Sequence, residues 1–371
     1  MAKPFLSLLL FVFSINILVF SQTNHECGTN PKSSWNEILK KKNIFQTSPN
    51  RGGQLVIIPY QIHLFKTSSG NSNLSLTEIY AEIDSLNYFY ANAGLIFIEC
   101  IAPEIINDDY YYDFDYTLHD ADVVSLFYTQ NVVNMYFANT VTSWDGSALC
   151  GYSQFPPSDD YVVMAANCST NGSTLAHELG HLFGLPHTHG GSPDELVDGS
   201  NCATEGDYIC DTPADPTLSN SLVNTSCIYT GTATDANGMP YVPDPNNIMS
   251  YSRKSCRNYF SLMQYDVINY TYLNYRNYLI CNLPTTKNEI EIKADILIFP
   301  NPGQEVIHFT QNEKRMETYV KFYDVNGNLV YDEVYNSKLF SVNTQSWVKG
   351  IYFYQLISQN EVINSGKWIK N

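Results

Sequence analysis

Histidine, positive charge and closely paired cysteines are all scarce in this chain. Histidine occurs 8 times in 371 residues, so any cluster of it carries information. Lysine and arginine number 20 against 37 aspartates and glutamates, a formal net charge of −17. That balance argues against nucleic acid or an anionic membrane surface as a partner, since both need basic patches. Only 15% of residues are charged, while tyrosine alone occurs 28 times. Such a lightly charged, polar surface suits a secreted protein. Nine cysteines stand at 27, 100, 150, 168, 202, 210, 227, 256 and 281, and none forms a C-x-x-C pair. A thiolate zinc ribbon or a thioredoxin-type site is therefore disfavoured, and scattered cysteines in an exported chain read as disulfides with one thiol left over. Beyond the first 20 or so residues no stretch is long and apolar enough to cross a membrane.

Five of the eight histidines lie apart, at 25, 63, 119, 189 and 308; the other three belong to one motif. Residues 177–187 read H-E-L-G-H-L-F-G-L-P-H. His177 and His181 are four apart and share one face of a helix, so two imidazoles can grip one metal ion. Glu178 stands next to a ligand, placed to take a proton from an attacking water. Gly184 tolerates the positive φ of a sharp turn, which would return His187 as a third ligand. Three histidines leave the fourth position of a tetrahedral zinc open, as catalysis requires. His63 alternates with apolar residues and reads as a sheet histidine. His25, His119 and His308 lack a partner at ligand spacing and read as structural or exposed. His189 reads as a neighbour of the site, outside the ligand set.

Along the chain, residues 1–21 read as a signal peptide: Lys3, then an apolar run of about 15 residues, short of the ~20 of a membrane span. Residues 22–53 are polar and irregular, a pro-segment or extension ending in the linker-like Arg51-Gly52-Gly53. Cys27 is either the partner of a distant cysteine such as Cys281 or a thiol that occupies the open zinc position and holds an enzyme latent. Leu55 to Phe65 reads as a buried strand. Ser75 and Glu78 form a capping box for a helix to about Ala91, with Leu76, Ile79, Ile83 and Leu86 on its apolar face. Strands follow at 95–101, 132–137 and 161–164, then a helix at 173–183. A sheet packed on helices, α/β or α+β in class, is the expectation for residues 54–282.

Residues 188–247 have little periodicity and are too long to lie loose, so disulfides or a cation should order them. Asp207, Asp211 and Asp215 read first as solvated loop residues and second as oxygen ligands for calcium. A helix is expected over 261–280, with Leu262, Tyr265, Ile268 and Tyr272 as core. After a linker at 283–295, short strands at 296–299, 306–309, 318–323, 329–335, 339–341, 351–357 and 362–369 are separated by turn signals. They describe a small all-β sandwich over 296–371, without cysteine.

The motif at 177–187, with Asn246-Asn247-Ile248-Met249-Ser250-Tyr251 downstream, resembles the metzincin zinc proteases. Cys150-Gly151-Tyr152-Ser153-Gln154-Phe155-Pro156, Cys210-Asp211-Thr212-Pro213 and Cys256 narrow this to the pappalysin branch, with bacterial secreted members similar to cytophagalysin and ulilysin. The resemblance implies His177, His181 and His187 as zinc ligands, Glu178 as general base and acid, Met249 as the apolar base under the metal, and Tyr251 as a stabiliser of the tetrahedral intermediate. It also implies disulfides among Cys202, Cys210, Cys227 and Cys256, and calcium near that loop. The activity implied is zinc-dependent hydrolysis of peptide bonds in protein or peptide substrates. Relatives that cleave before basic residues carry acids between the methionine turn and the next cysteine. Arg253 and Lys254 stand there instead, which should disfavour Arg or Lys after the scissile bond. Phe299-Pro300-Asn301-Pro302, Val320 to Asn328 and Gly350-Ile351-Tyr352-Phe353 resemble the sorting domain of the type IX secretion system, implying export to the cell surface or beyond. The competing expectations are a non-catalytic, metal-ordered adhesin, which would have no use for Glu178, and an astacin-like protease, which would lack the Cys210-Asp211-Thr212-Pro213 segment.

Overall fold

The computed structural model describes residues 27–29, 33–41, 56–190, 194–281 and most of 296–370. The expected signal peptide, His25, the Arg51-Gly52-Gly53 linker and the 283–295 linker lie outside the described residues. The first element is a helix where sequence gave only an irregular segment: α1, Ser33–Leu39, buries Trp35 and Leu39 completely. Next come β1 (Val56–Lys66), α2 (Leu76–Tyr90), β2 (Leu95–Glu99) and β3 (Glu104–Asn107). Both halves of the expected capping box are present on α2: Glu78 N meets Ser75 Oγ at 3.2 Å, and Ser75 N meets Glu78 Oε2 at 2.8 Å. Then follow α3 (Asp109–Tyr112), β4 (Asp113–Asp115), α4 (Tyr116–Ser125), β5 (Val133–Ala138), β6 (Thr140–Thr142) and β7 (Ala148–Leu149). Last before the long loop are β8 (Gly151–Ser153), β9 (Tyr161–Ala165) and the motif helix α5 (Thr174–Leu182).

The main sheet runs β2-β1-β5-β9-β8, with β3 also paired to β1. All its pairs are parallel except β8 with β9, so β8 is an antiparallel outer strand. β1 is buried at eight consecutive positions, as a strand with helices or loops over both faces must be. One face packs on α1, α2, α5 and the helix after the loop; its core includes Trp35, Ile62, Ile83, Leu179, Phe183 and Met249. The other face packs on a cluster around Phe65, Phe114 and Tyr136, contributed by the α3–β4–α4 region. His63 is a sheet histidine, as expected: Nδ1 lies 2.8 Å from Glu104 and Nε2 3.0 Å from Asn134.

Disulfides 202–210 and 227–256 staple the long loop, and 100–281 and 150–168 tie other segments. The three loop aspartates do not share a cation site. Asp207 accepts from Thr212 and from Ile209 N, Asp215 from Thr188, and Asp211 from Ser261 Oγ and Met263 N. The only metal-type group among the described residues lies elsewhere. Thus Asp211 holds the start of α6 (Leu262–Thr271), itself capped by a Ser261–Gln264 box. Within α6, Tyr265 and Ile268 are buried, but Leu262 is 62% exposed, against expectation: it stands on the first turn, on the solvent side. Among the described residues seven strands follow: β10 (Ile296–Phe299), β11 (Val306–Gln311), β12 (Thr318–Tyr323), β13 (Leu329–Tyr335), β14 (Leu339–Asn343), β15 (Gly350–Ser358) and β16 (Glu361–Lys370). They form a three-stranded and a four-stranded antiparallel sheet around Phe309, Phe322 and Trp368, the expected sandwich.

Candidate metal centre

The motif helix starts after Ser173, and Asn171 just before it holds the entry: its Oδ1 accepts from the backbone N of Ser173 and Thr174 at 3.0 Å each. Every residue of α5 is buried. The helix stops at Gly184, whose φ of +87° is left-handed. A side chain there would also collide with Trp35 and Thr271. Leu185 N then bonds back to Gly180 O at 2.8 Å, which reverses the chain and delivers His187 beside the helix.

His177, His181, His187 and Cys27 bring their donor atoms within 4.8 Å of one another, and all four residues are buried. His177 Nδ1 donates to Ile248 O at 2.8 Å, and His181 Nδ1 to Leu185 O at 2.7 Å. These bonds put the ring proton on Nδ1 and leave Nε2 with a lone pair facing the group. His177 Nε2 is buried without a protein partner, and the Nε2 atoms of His181 and His187 face each other at 3.0 Å. Burial drives all three imidazoles to the neutral form, His181 down to about 3 and the other two well below the usual histidine range. Buried, neutral imidazoles converging through lone pairs fit a cation and little else.

Glu178 lies on the same helix, fully buried, with Oε1 unpartnered. Its Oε2 accepts from Cys27 Sγ at 3.2 Å and lies 3.5 Å from Thr29 Oγ1. Burial pushes the carboxyl up to about 8, against the pull of the Cys27 bond and of Arg257. Burial and the nearby Glu178 likewise raise the Cys27 thiol. Cys27 is free: Cys281, its candidate partner, is bonded to Cys100.

Met249 is fully buried beneath the helix, so close that a Cβ on Gly180 would collide with its sulfur. Asn247 fixes that turn, accepting from Met249 N at 2.9 Å and pairing both ways with Gln264 of α6. Tyr251 leaves the turn towards the site. Its ring centroid is 4.5 Å from that of His187, and its hydroxyl donates to Cys27 O at 3.4 Å. His189 stacks on His187 with 4.9 Å between ring centroids, neutral because burial lowers it to about 4. Sequence reasoning left out Ser153, Thr29 and Phe155. Ser153 Oγ donates to Glu178 O at 2.6 Å, and the Phe155 ring lies 5.2 Å from that of His181. Both flank or belong to β8, too short a strand to show periodicity. Of the two cations after the methionine turn, Arg253 points away, bound to the carbonyls of Val223 and Asn220. The Lys254 ammonium instead packs on the 150–168 disulfide at the head of β8, 2.6 Å from Cys150 Sγ.

Comparison with known proteins gives two family matches. Residues 127–271 match the family described as pregnancy-associated plasma protein-A, and residues 297–371 the secretion system C-terminal sorting domain. An extracellular metalloprotease of Pyricularia oryzae is 27% identical over 231 residues, 57% of this chain and 72% of that protein. One of Neurospora crassa is 31% identical over 138 residues, 34% of this chain and 38% of that protein. The chain is a metalloprotease, and its residues 127–271 are similar to the pappalysin family. This metalloprotease carries a secretion sorting domain over residues 297–371 and is secreted or held at the cell surface. Metalloproteinase-II of Bacteroides fragilis aligns with 48% of this chain and 56% of its own, at a TM-score of 0.26 and 15% identity, too slight a likeness to carry an argument. A metalloprotease requires a metal, and the histidine group supplies a donor set for one.

Proposed function

We propose that this protein is a zinc-dependent endopeptidase of metzincin type, exported through type IX secretion and folded in a latent state. The observation that carries the reading is the convergence of three buried, neutral imidazoles with Glu178 beside them. His177, His181 and His187 would hold the zinc. Zinc in such a site lowers the pKa of a water and polarises the scissile carbonyl. Glu178 removes a proton from the attacking water as its oxygen bonds to the carbonyl carbon. The same carboxyl delivers that proton to the amine as the C–N bond breaks. Tyr251 donates its phenolic hydrogen to the developing oxyanion. Met249 and Gly180 keep the underside of the site apolar and closely packed.

In the latent state three contacts block these roles together. Cys27 sulfur takes the position left open by the histidines, Cys27 and Thr29 tie up Glu178, and Cys27 O engages the Tyr251 hydroxyl. Activity requires the 27–29 segment to leave. Residues 54–282 are the catalytic unit and 296–371 the export unit. Lys254, at the head of β8, disfavours a basic residue after the scissile bond; strong cleavage before Arg or Lys in a peptide-library digest would overturn that assignment.

The test is Glu178→Ala in the processed, secreted enzyme. Metal analysis should still find one zinc per chain, while casein hydrolysis falls by about 10²–10⁴-fold, the range for loss of a general base. Full activity in that variant would remove Glu178 from the mechanism, and absence of zinc from the wild-type enzyme would remove the metal reading.

A further inference from the structure

Beside the histidine group lies a cavity of about 370 Å³ that the proposed chemistry leaves unused. Its apolar wall is Tyr116, Trp144, Leu149, Tyr152 and Phe155. It is continuous with the site through three shared residues. Cys27 is one of the metal-type donors, Ser153 holds the Glu178 carbonyl, and Phe155 packs near His181.

Trp144 stands out on this wall. It is 78% exposed, yet the turn that carries it, between β6 and β7, is tightly bonded. Ser143 N donates to Ser147 O at 2.8 Å and Gly146 N to Ser143 O at 3.0 Å. Asp145 Oδ1 accepts from Ser147 N at 3.0 Å, from Ser147 Oγ at 2.6 Å and from the Ser143 hydroxyl. Gly146 closes the turn with a left-handed φ of +83°. The turn bonds its own polar groups and carries an indole on the cavity wall, where an apolar group can land on it.

A peptide has a reason to run past this cavity. β8 is the outer strand of its sheet and offers backbone groups for strand addition, which sets side chains alternately to either side. The latent segment uses that edge, with Gly28 N donating to Gly151 O at 3.1 Å. It passes the cavity with a glycine, since a Cβ on Gly28 would lie 2.7 Å from Leu149 Cδ1. Among the described residues of that segment, Cys27, Gly28 and Thr29 line the cavity without filling it.

We propose that this cavity is a side-chain subsite of the protease, which takes an aromatic or large aliphatic residue of the substrate within about three positions of the scissile bond, with Trp144 as a specificity-determining residue. The proposal rests on the peptidase reading above and names its substrate preference. The experiment is a peptide-library digest by the processed wild-type enzyme, Trp144→Ala and Trp144→Phe, followed by kcat/KM on two peptides that differ only in Leu or Gly at the selected position. Wild type should enrich Phe, Tyr, Trp, Leu or Met at one position. Trp144→Ala should lose that enrichment and roughly tenfold in kcat/KM on the Leu peptide, with the Gly peptide unchanged, and Trp144→Phe should restore most of it. An unchanged Trp144→Ala profile or an equal loss on both peptides overturns the subsite while leaving the peptidase reading intact. No cleavage by the wild type of any peptide overturns both.

Discussion

Glu178 and Cys27 meet at a contact of 3.2 Å, and the proposed latency rests on it. A buried thiol, unpaired with any other cysteine and close to three imidazole nitrogens, anchors the 27–29 segment in the proposed latent state. Cys27→Ala removes that anchor, so the segment should leave the site without processing. The variant's activity on casein before any processing should rise at least tenfold over that of the unprocessed wild type, with thermal stability nearly unchanged in metal-free buffer. Equal latency in the two chains would show that the 27–29 segment blocks by bulk alone. Much of this was legible in advance, because histidine is scarce enough for H-E-x-x-H-x-x-G-x-x-H to be specific. The odd cysteine was legible only as a leftover; which of nine it was depended on the pairing, and pairing is a matter of distance in space.

At the scale of elements, α1 and the helical turn Tyr272–Arg276 that follows α6 matter most, because both grip the C-terminal end of the motif helix. Trp35 of α1 donates its indole N–H to Gly184 O at 2.8 Å and packs edge-on to Tyr275. Arg276 donates to Leu182 O at 2.7 Å and forms a buried pair with Asp160. Trp35→Ala would leave a large void at the turn that carries His187, and should lower the stability of the unprocessed chain by about 3–5 kcal/mol. Denaturant unfolding measures this, and a change under 1 kcal/mol would mean that α1 is not part of the folded core. Sequence pattern missed α1, since a seven-residue helix with two buried residues has no resolvable period. It missed β8 for a related reason: a three-residue strand at a sheet edge exists through its pairing with β9, not through its own composition. The long helices and buried strands were legible because capping boxes and apolar runs are local signals.

On the scale of the whole molecule, chemistry and export are assigned to separate stretches of chain. The sandwich over residues 296–370 has its own apolar core around Phe309, Phe322 and Trp368 and contributes no residue to the histidine group. Deleting residues 296–371 from the Cys27→Ala protein should leave kcat/KM within about twofold and abolish release to the medium and display on the cell surface. Assay of cell-bound and free protease checks both halves. A truncated chain that is still exported would assign the address to another segment.

The sequence by itself determined the metal-binding chemistry, the exported class and the α/β-plus-sandwich order of elements, because each rests on spacing or composition along a few consecutive residues. Only the tertiary structure decided that Cys27 faces the histidines and that Asp207, Asp211 and Asp215 serve three separate hydrogen-bond sets. It also decided that Lys254 rather than Arg253 stands beside β8, and that a cavity walled by Trp144 adjoins the site. These are relations between segments up to about 150 to 220 residues apart, from Cys27 to Glu178 and to Tyr251. Local pattern cannot encode them; burial and hydrogen-bond satisfaction in the folded chain do. The opening motif keeps its meaning, but it is the folded surroundings that place Cys27 and Thr29 against it.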